Sequence, residues 1–217
     1  MFPLRDENPT LEFPYITVSL IGINTVMFLF TLLSGRYEFY LYDFGFIPAD
    51  PSFFTLLSSM FMHAGVLHLV GNMWYLWLFG DNTEERIGHF KFLLYYLGCG
   101  VVAALAEAAV NPYSTIPLVG ASGAIAGVLG AYVIIFPNAK VKTLVGIFPF
   151  WWIARIKSVY LLGFWFVYQL ILSFFVLATY QGVQGGVAYM AHVGGFAFGM
   201  LIMLLAKLIR IHHPRSA

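Results

Sequence analysis

Charged side chains are scarce in this sequence: only 10% of its 217 residues are Asp, Glu, Lys or Arg. Soluble globular domains carry about 25% charged residues, so the composition excludes an ordinary soluble domain. The net charge of +1 provides no field that would attract nucleic acid. Cysteine is also nearly absent, and because Cys99 is the only one, a disulfide within the chain is excluded.

Apolar sequence is abundant instead, with 60% hydrophobic residues and a mean hydropathy of +0.82. Several runs approach the roughly 20 apolar residues that a spanning helix needs. The pattern predicts an all-α polytopic membrane protein, a six-transmembrane-helix bundle in one membrane domain of residues 1–217. A further apolar piece, residues 144–153, is too short to span and is expected to lie at the membrane interface. The six spans are expected at about residues 15–34, 64–80, 90–110, 122–136, 159–180 and 186–208.

The basic residues orient this bundle. With the N-terminus in the cytoplasm, every lysine and arginine except Arg36 falls on the cytoplasmic side, as the positive-inside tendency requires. Both termini are therefore expected in the cytoplasm. The long first outer connection, residues 35–63, is rich in aromatic residues and is expected to lie in the outer headgroup region. The compact form without a targeting pattern favours a prokaryotic plasma membrane.

The fourth span, residues 122–136, is unusually short. Pro137 ends it, and its length corresponds to about 22 Å of helix, against about 30 Å for a hydrocarbon core. Because this helix ends at the cytoplasmic face, its start should lie inside the bilayer. Irregular backbone at that depth needs protein or water around it, so the sequence predicts an aqueous pocket with Ser122 at its floor.

Four polar side chains from three spans are expected at one depth: Ser122, His192, His68 and Asn72. Intramembrane polar residues are costly and indicate a functional site. A serine hydroxyl becomes a nucleophile when a base takes its proton, and histidine suits that role near neutral pH. We therefore expect a Ser122–His192 catalytic dyad. The Ser122 amide and the side chains of His68 and Asn72 are candidate donors for the oxyanion.

Small residues accompany this dyad at intervals that bring helices together. His192 shares a helix face with Gly195 and Gly199, and the run that contains Ser122 includes Gly123 and Gly127. Small residues at such spacing let helix backbones approach closely in lipid. The four glycines are therefore predicted to serve helix packing.

Each of these residues also has a simpler interpretation. A serine at a helix start is often only a cap, and a histidine or asparagine in a membrane helix often joins two helices. His63 suits a structural or gating role. A zinc site formed by His63, His68 and His192 lacks a His-Glu-x-x-His pattern and a suitably spaced carboxylate, so no metal site is expected.

Three motifs together resemble the rhomboid family of intramembrane serine proteases. They are His68-x-x-x-Asn72, the segment Gly120-Ala121-Ser122-Gly123, and Ala191-His192-x-x-Gly195-x-x-x-Gly199. The resemblance implies cleavage of transmembrane substrate proteins near the outer membrane boundary. It further implies Ser122 as nucleophile, His192 as general base, and an oxyanion hole of His68, Asn72 and the Ser122 amide. No metal or cofactor is implied, and substrates are implied to enter sideways near the fifth span.

Two departures from the family pattern stand out. Some relatives carry a tyrosine, stacked on the histidine, where this chain has Ala126, so His192 must be oriented otherwise. Those relatives also carry a Trp-Arg pair in the first loop, and this sequence has no such pair there, only Arg36 followed by Tyr37. The alternative function is a catalytically silent rhomboid-like protein that binds or chaperones membrane clients. A transporter would instead predict repeated halves with paired broken helices.

Overall fold

The computed structural model describes residues 1–147, 149–178 and 186–212, and it is mostly helical. Four of its helices are long and apolar enough to cross a membrane. A fifth candidate arises when the bent pair 53–61 and 66–87 is counted as one span. The described helices are α1 Tyr15–Leu33, α2 Tyr37–Phe44, α3 Phe53–Ser58, α4 Val66–Ile87, α5 His89–Val110, α6 Ser122–Ile135, α7 Ser158–Ala178 and α8 Tyr189–His212.

Helices lie at each of the six expected positions, with differences at their ends. The sixth begins at Tyr189 rather than at residue 186. Residues 179 and 180, the expected end of the fifth span, lie outside the described residues. The expected outer connection, residues 35–63, contains α2, α3 and a 3₁₀ turn at Ser59–Phe61.

The helix at the second expected span, residues 64–80, is α4, and it continues past residue 80 to Ile87. Its last turns are too polar to be recognised as part of an apolar span. The polar side chains of these turns form hydrogen bonds with the N-terminal segment. The Thr10 hydroxyl donates to Asp81 Oδ2 at 2.7 Å, and the Asn8 amide donates to Asn82 Oδ1 at 2.5 Å. These hydrogen bonds let the helix extend beyond its apolar part.

Glu84, on the same part of α4, holds the beginning of α1. Its side chain is fully buried, and its two carboxylate oxygens accept the backbone N–H groups of Ile16 at 2.9 Å and Thr17 at 2.7 Å. The first N–H groups of a helix have no intrahelical acceptor, and Pro14 precedes α1 without a side-chain cap. The carboxylate therefore serves as a cap supplied by another helix.

The chain is mostly helical, as expected, but it is not all-α, because the structure also contains a three-stranded antiparallel sheet. Its middle strand buries alternate residues, Val141, Thr143 and Val145, as a half-buried strand should. The apolar piece expected at residues 144–153 forms the facing ends of two paired strands, although residue 148 lies outside the described part. The strands, in sheet order, are β1 Phe2–Asp6, β2 Lys140–Ile147 and β3 Phe150–Lys157.

Helix α6 forms the centre of the bundle, with every residue from Gly123 to Tyr132 buried. Its contact with α8 is made by backbone. A Cβ atom added at Gly195 would overlap the carbonyl oxygen of Gly123, and one added at Gly199 would overlap that of Gly127. Because these two helices touch without side chains between them, the starts of α6 and α8 are held side by side.

Candidate active site

The serine at the start of α6 follows a tightly constrained turn. Gly120 has a φ of +117° and donates its N–H to the carbonyl oxygen of Ser59 at 2.9 Å. A Cβ atom at Gly120 would lie 2.6 Å from both Cε1 and Nε2 of His68. Glycine is therefore required here by conformation and by space, and it brings the backbone before Ser122 against the side chains of α4.

Ser122 and His192 are in direct contact. Ser122 is the first residue of α6, and His192 lies in the first turn of α8. The distance from Ser122 Oγ to His192 Nε2 is 2.8 Å, within hydrogen-bonding range. The two side chains come 70 residues apart in sequence, and the glycine contacts between α6 and α8 bring them together.

The other nitrogen of this imidazole is held by a residue that none of the sequence motifs includes. His192 Nδ1 lies 2.8 Å from Gln169 Oε1 on α7, and Gln169 is only 6% exposed. With an amide oxygen as acceptor, the neutral imidazole carries its proton on Nδ1. Its Nε2 lone pair then faces the Ser122 hydroxyl, which is the arrangement that a general base needs.

An aromatic residue of α7 completes the surroundings of His192. The Trp165 ring lies 5.8 Å from the imidazole, centroid to centroid, with 35° between the planes. Trp165 and Gln169 are four residues apart and share a face of α7. Ala126, where some relatives have a tyrosine, is buried within the α6 packing. Apart from the Ser122 contact, the described contacts that orient His192 therefore come from Trp165 and Gln169 of α7.

The sequence did contain a signal for Gln169. It is a polar residue inside an otherwise apolar span, the same signal that pointed to Asn72. What the sequence could not provide was the direction of its side chain, because no spacing rule relates α7 to the turn of α8 that carries His192.

His68 and Asn72 border the same cavity as the Ser122–His192 pair, with a volume of about 820 Å³. The N–H of Ala64 donates to His68 Nδ1 at 3.4 Å, so a neutral His68 carries its proton on Nε2. Asn72 is 8% exposed, and its side-chain nitrogen has no hydrogen-bond partner in the described part of the chain. The site therefore offers two side-chain donors that are available to an incoming oxygen atom.

Glu107 supports the beginning of α8 and was also missed as a site residue. Its Oε2 accepts the N–H of Ala191 at 3.2 Å, and its Oε1 accepts the Asn111 amide at 2.6 Å. The carboxylate thus caps the first turn of α8 immediately before His192. The described partners of the Glu107 carboxylate are a backbone N–H and a side-chain amide. Glu107 therefore stabilises the start of α8 rather than the His192 imidazole.

His63 is buried against His68. It is 1% exposed, and its ring lies 5.1 Å from that of His68 in an edge-on arrangement. The Tyr37 hydroxyl donates to the carbonyl oxygen of His63 at 2.6 Å. Neither ring nitrogen of His63 has a hydrogen-bond partner among the described residues. Its contacts are those of a packing residue behind His68.

Comparison with known proteins gives consistent matches. Residues 50–208 match the Rhomboid domain. The chain is 40% identical over 83 residues to "Rhomboid protease GluP" of Bacillus subtilis (strain 168), covering 38% of this chain and 16% of that protein. It is 29% identical over 195 residues to "Rhomboid protein 1, mitochondrial" of Saccharomyces cerevisiae (strain ATCC 204508 / S288c), covering 86% and 51%. To "Rhomboid protease AarA" of Providencia stuartii it is 32% identical over 166 residues, covering 70% and 55%. The chain spans about half or less of the length of these relatives.

Proposed function

The chain belongs to the rhomboid family and is a multi-pass membrane protein, and we propose that it is an intramembrane serine endopeptidase. It cleaves transmembrane substrate proteins near the outer membrane boundary, using Ser122 and His192 as a dyad. The observation that carries the proposal is the 2.8 Å contact between Ser122 Oγ and His192 Nε2. The protease names of two of its relatives agree with it.

The reaction proceeds by covalent catalysis. Ser122 Oγ attacks the scissile carbonyl carbon while His192 Nε2 takes the hydroxyl proton, which leaves a tetrahedral intermediate with a negative oxygen. As this intermediate collapses, the C–N bond breaks and Nε2–H gives its proton to the departing amine. Water then attacks the acyl-enzyme, with His192 again acting as base, and releases the acid and the free serine.

The negative oxygen needs preorganised donors. The Ser122 N–H is one, because the first amide of a helix points away from the helix without an intrahelical acceptor. The Asn72 side-chain nitrogen and His68 Nε2 are the others, and both residues border the cavity that contains Ser122. A buried donor with no partner is costly in the resting protein and becomes satisfied when the oxyanion forms.

We further propose how the chain sits in its membrane. Residues 1–217 form one membrane domain with six spans, which adds α4 and α6 to the four long apolar helices. Since α6 has 14 residues, it extends over about 21 Å and begins inside the bilayer. The basic residues place both termini in the cytoplasm, at a prokaryotic plasma membrane. Gly195 and Gly199 keep α8 in backbone contact with α6, whereas Gly123 and Gly127 leave room on α6 for side chains of α5.

The test is labelling with a fluorescent fluorophosphonate in detergent, on the wild-type protein, Ser122→Ala and His192→Ala. We expect labelling of the wild type alone, because fluorophosphonates react with a serine whose hydroxyl is activated by a base. A model transmembrane substrate in liposomes should be cleaved by the same protein and by neither variant. Thermal unfolding of all three proteins establishes that they are folded.

Two outcomes would contradict the proposal. Labelling and cleavage that persist in Ser122→Ala would exclude this residue as the nucleophile. A folded wild type that neither labels nor cleaves, but retains a transmembrane substrate through purification, would favour the silent client-binding function.

A further inference from the structure

A second cavity lies at the opposite end of the helices that carry the dyad. Its volume is about 700 Å³, within the range of about 300–1,000 Å³ that is typical of ligand sites. On α8 it is lined by residues 198–207, whereas the dyad cavity reaches residues 191 and 192 of that helix. On α4 and α6 it is lined by the final turns. In a membrane, this cavity therefore faces the leaflet on the side away from Ser122.

Three basic residues border this cavity: Arg86, Lys91 and Lys207. All three are exposed, and no ion pair joins any of them to an acidic residue within the described ranges. The residues that line the cavity include no aspartate or glutamate. Like charges gathered without partners repel one another, so an anion placed among them is favoured.

The rest of the cavity wall is apolar, apart from Tyr95. The side chains of Leu94, Phe198, Ile202 and Met203 face it. A free phosphate would leave this wall uncovered, and a neutral lipid would leave the cations without a counter-ion. A ligand that matches both parts has a negative headgroup attached to a hydrocarbon chain.

We propose that this cavity binds an anionic phospholipid from the leaflet on the side away from the dyad. Its phosphate lies between Arg86, Lys91 and Lys207, and one acyl chain lies along the apolar wall between α5 and α8. Basic pockets between membrane helices are suited to such headgroups. The proposal depends on the membrane location of the chain and is independent of whether Ser122 is catalytic.

The test compares two double variants that remove the same number of lysines from the same end of the molecule. Lys91→Gln with Lys207→Gln removes charges that border the cavity. Lys140→Gln with Lys157→Gln removes two exposed lysines that face each other across β2 and β3, outside the cavity. Binding of dioleoyl phosphatidylglycerol and of dioleoyl phosphatidylcholine to the detergent-solubilised protein is measured by native mass spectrometry.

We expect the wild type to bind the phosphatidylglycerol more tightly than the phosphatidylcholine. A basic residue near an anionic headgroup is worth about a fivefold change in affinity, so the cavity double variant should bind phosphatidylglycerol about 30-fold more weakly. The strand double variant should stay within about twofold of the wild type, because its lysines cannot reach the headgroup. Glycerol 3-phosphate, a glycerol phosphate ester without acyl chains, should not compete at equal concentration.

Filling the cavity tests the acyl chain separately. A Cβ atom at Gly98 would meet nothing within 4 Å, and Gly98 lines the cavity. The Cβ atom of Gly98→Leu therefore has room, the rest of its side chain extends the occupied volume, and leucine is a better helix former than glycine. We expect this variant to unfold no earlier than the wild type and to lose phosphatidylglycerol binding, with every charge retained.

Three results would overturn the proposal. The first is equal binding of the two lipids by the wild type. The second is an equal loss of affinity in both double variants, which would indicate general attraction to the basic end of the molecule. The third is competition by glycerol 3-phosphate at equal concentration, which would indicate a site for free phosphate esters rather than for a lipid.

Discussion

Replacing Gln169 by leucine removes the acceptor that holds His192 Nδ1 at 2.8 Å while keeping a side chain of similar volume. The Nδ1–H would then be buried without a partner, which costs about 1–3 kcal/mol. The imidazole can avoid that cost by moving its proton to Nε2, but this tautomer cannot accept the Ser122 proton. The productive tautomer carries its proton on Nδ1. If it is destabilised by this cost of about 1–3 kcal/mol, the rate falls by about 5- to 150-fold. The loss should appear in kcat rather than KM, because Gln169 contacts the base and not the substrate.

The assay combines kinetics with a spectroscopic measurement of the tautomer. Cleavage of a transmembrane substrate in liposomes gives kcat and KM, and ¹⁵N chemical shifts of labelled histidine report which ring nitrogen carries the proton. His192→Ala identifies the resonances. Gln169→Glu keeps an oxygen acceptor and should retain the Nδ1–H form. Ser173→Ala is the matched control, since Ser173 is a buried polar residue on the same helix without a described hydrogen-bond partner.

The reasoning would be refuted by a folded Gln169→Leu protein with kcat within about twofold of the wild type and unchanged ¹⁵N shifts, since even the smallest hydrogen-bond cost predicts more. Gln169 would then be only a contact between α7 and α8. An equal loss of activity in Ser173→Ala would also refute it, because that result would show a general sensitivity of α7 to substitution.

Three further predictions concern the oxyanion, the helix contact and the cap. Asn72→Ala should lower kcat by about 10²–10³-fold, as loss of an oxyanion donor does; an unchanged kcat on the transmembrane substrate would make Asn72 structural. Gly195→Leu should lower the thermal unfolding temperature and abolish cleavage, because its Cβ meets backbone of Gly123 that cannot move aside. Gly163→Leu on α7, where a Cβ meets nothing within 4 Å, is its matched control, and equal behaviour of the two would contradict the close contact. Glu84→Gln should destabilise the protein by about 1–3 kcal/mol, since a charged acceptor of two N–H groups is lost; SDS-induced unfolding measures it, and an unchanged midpoint would rule out the cap.

The polar residues of the site could be predicted from sequence because they stand out against an apolar background. Ser122, His192, His68 and Asn72 were all recognised by type and depth, and they border one cavity in the structure. Their roles remain predictions. Gln169 was visible by the same criterion but could not be assigned, because sequence fixes which helix a residue lies on and not which neighbour its side chain reaches.

The differences between the predicted and the observed fold have a related origin. Hydropathy identifies only the apolar part of a helix, so it predicts an end near residue 80 and does not include the last turns of α4, whose polar residues bind the N-terminal segment. It also predicts a single apolar piece at residues 144–153. The alternation of buried residues in β2 is a strand pattern, but its sheet needs β1, which lies more than 130 residues earlier in the chain. Such a pairing cannot be inferred from local periodicity.

The helices that carry the site differ in how many of their residues are buried, and this difference has a consequence for activity. Helix α6 is buried along ten consecutive residues and meets α8 through backbone, whereas α7 buries only five of its 21 residues. The Ser122–His192 contact therefore joins two helices that cannot separate without losing the core. The Gln169–His192 contact depends on a helix most of whose residues are not buried. Conditions that loosen α7 should break the second contact first, leaving serine and imidazole together but with the tautomer no longer fixed. Activity should consequently fall under milder conditions than those that unfold the bundle.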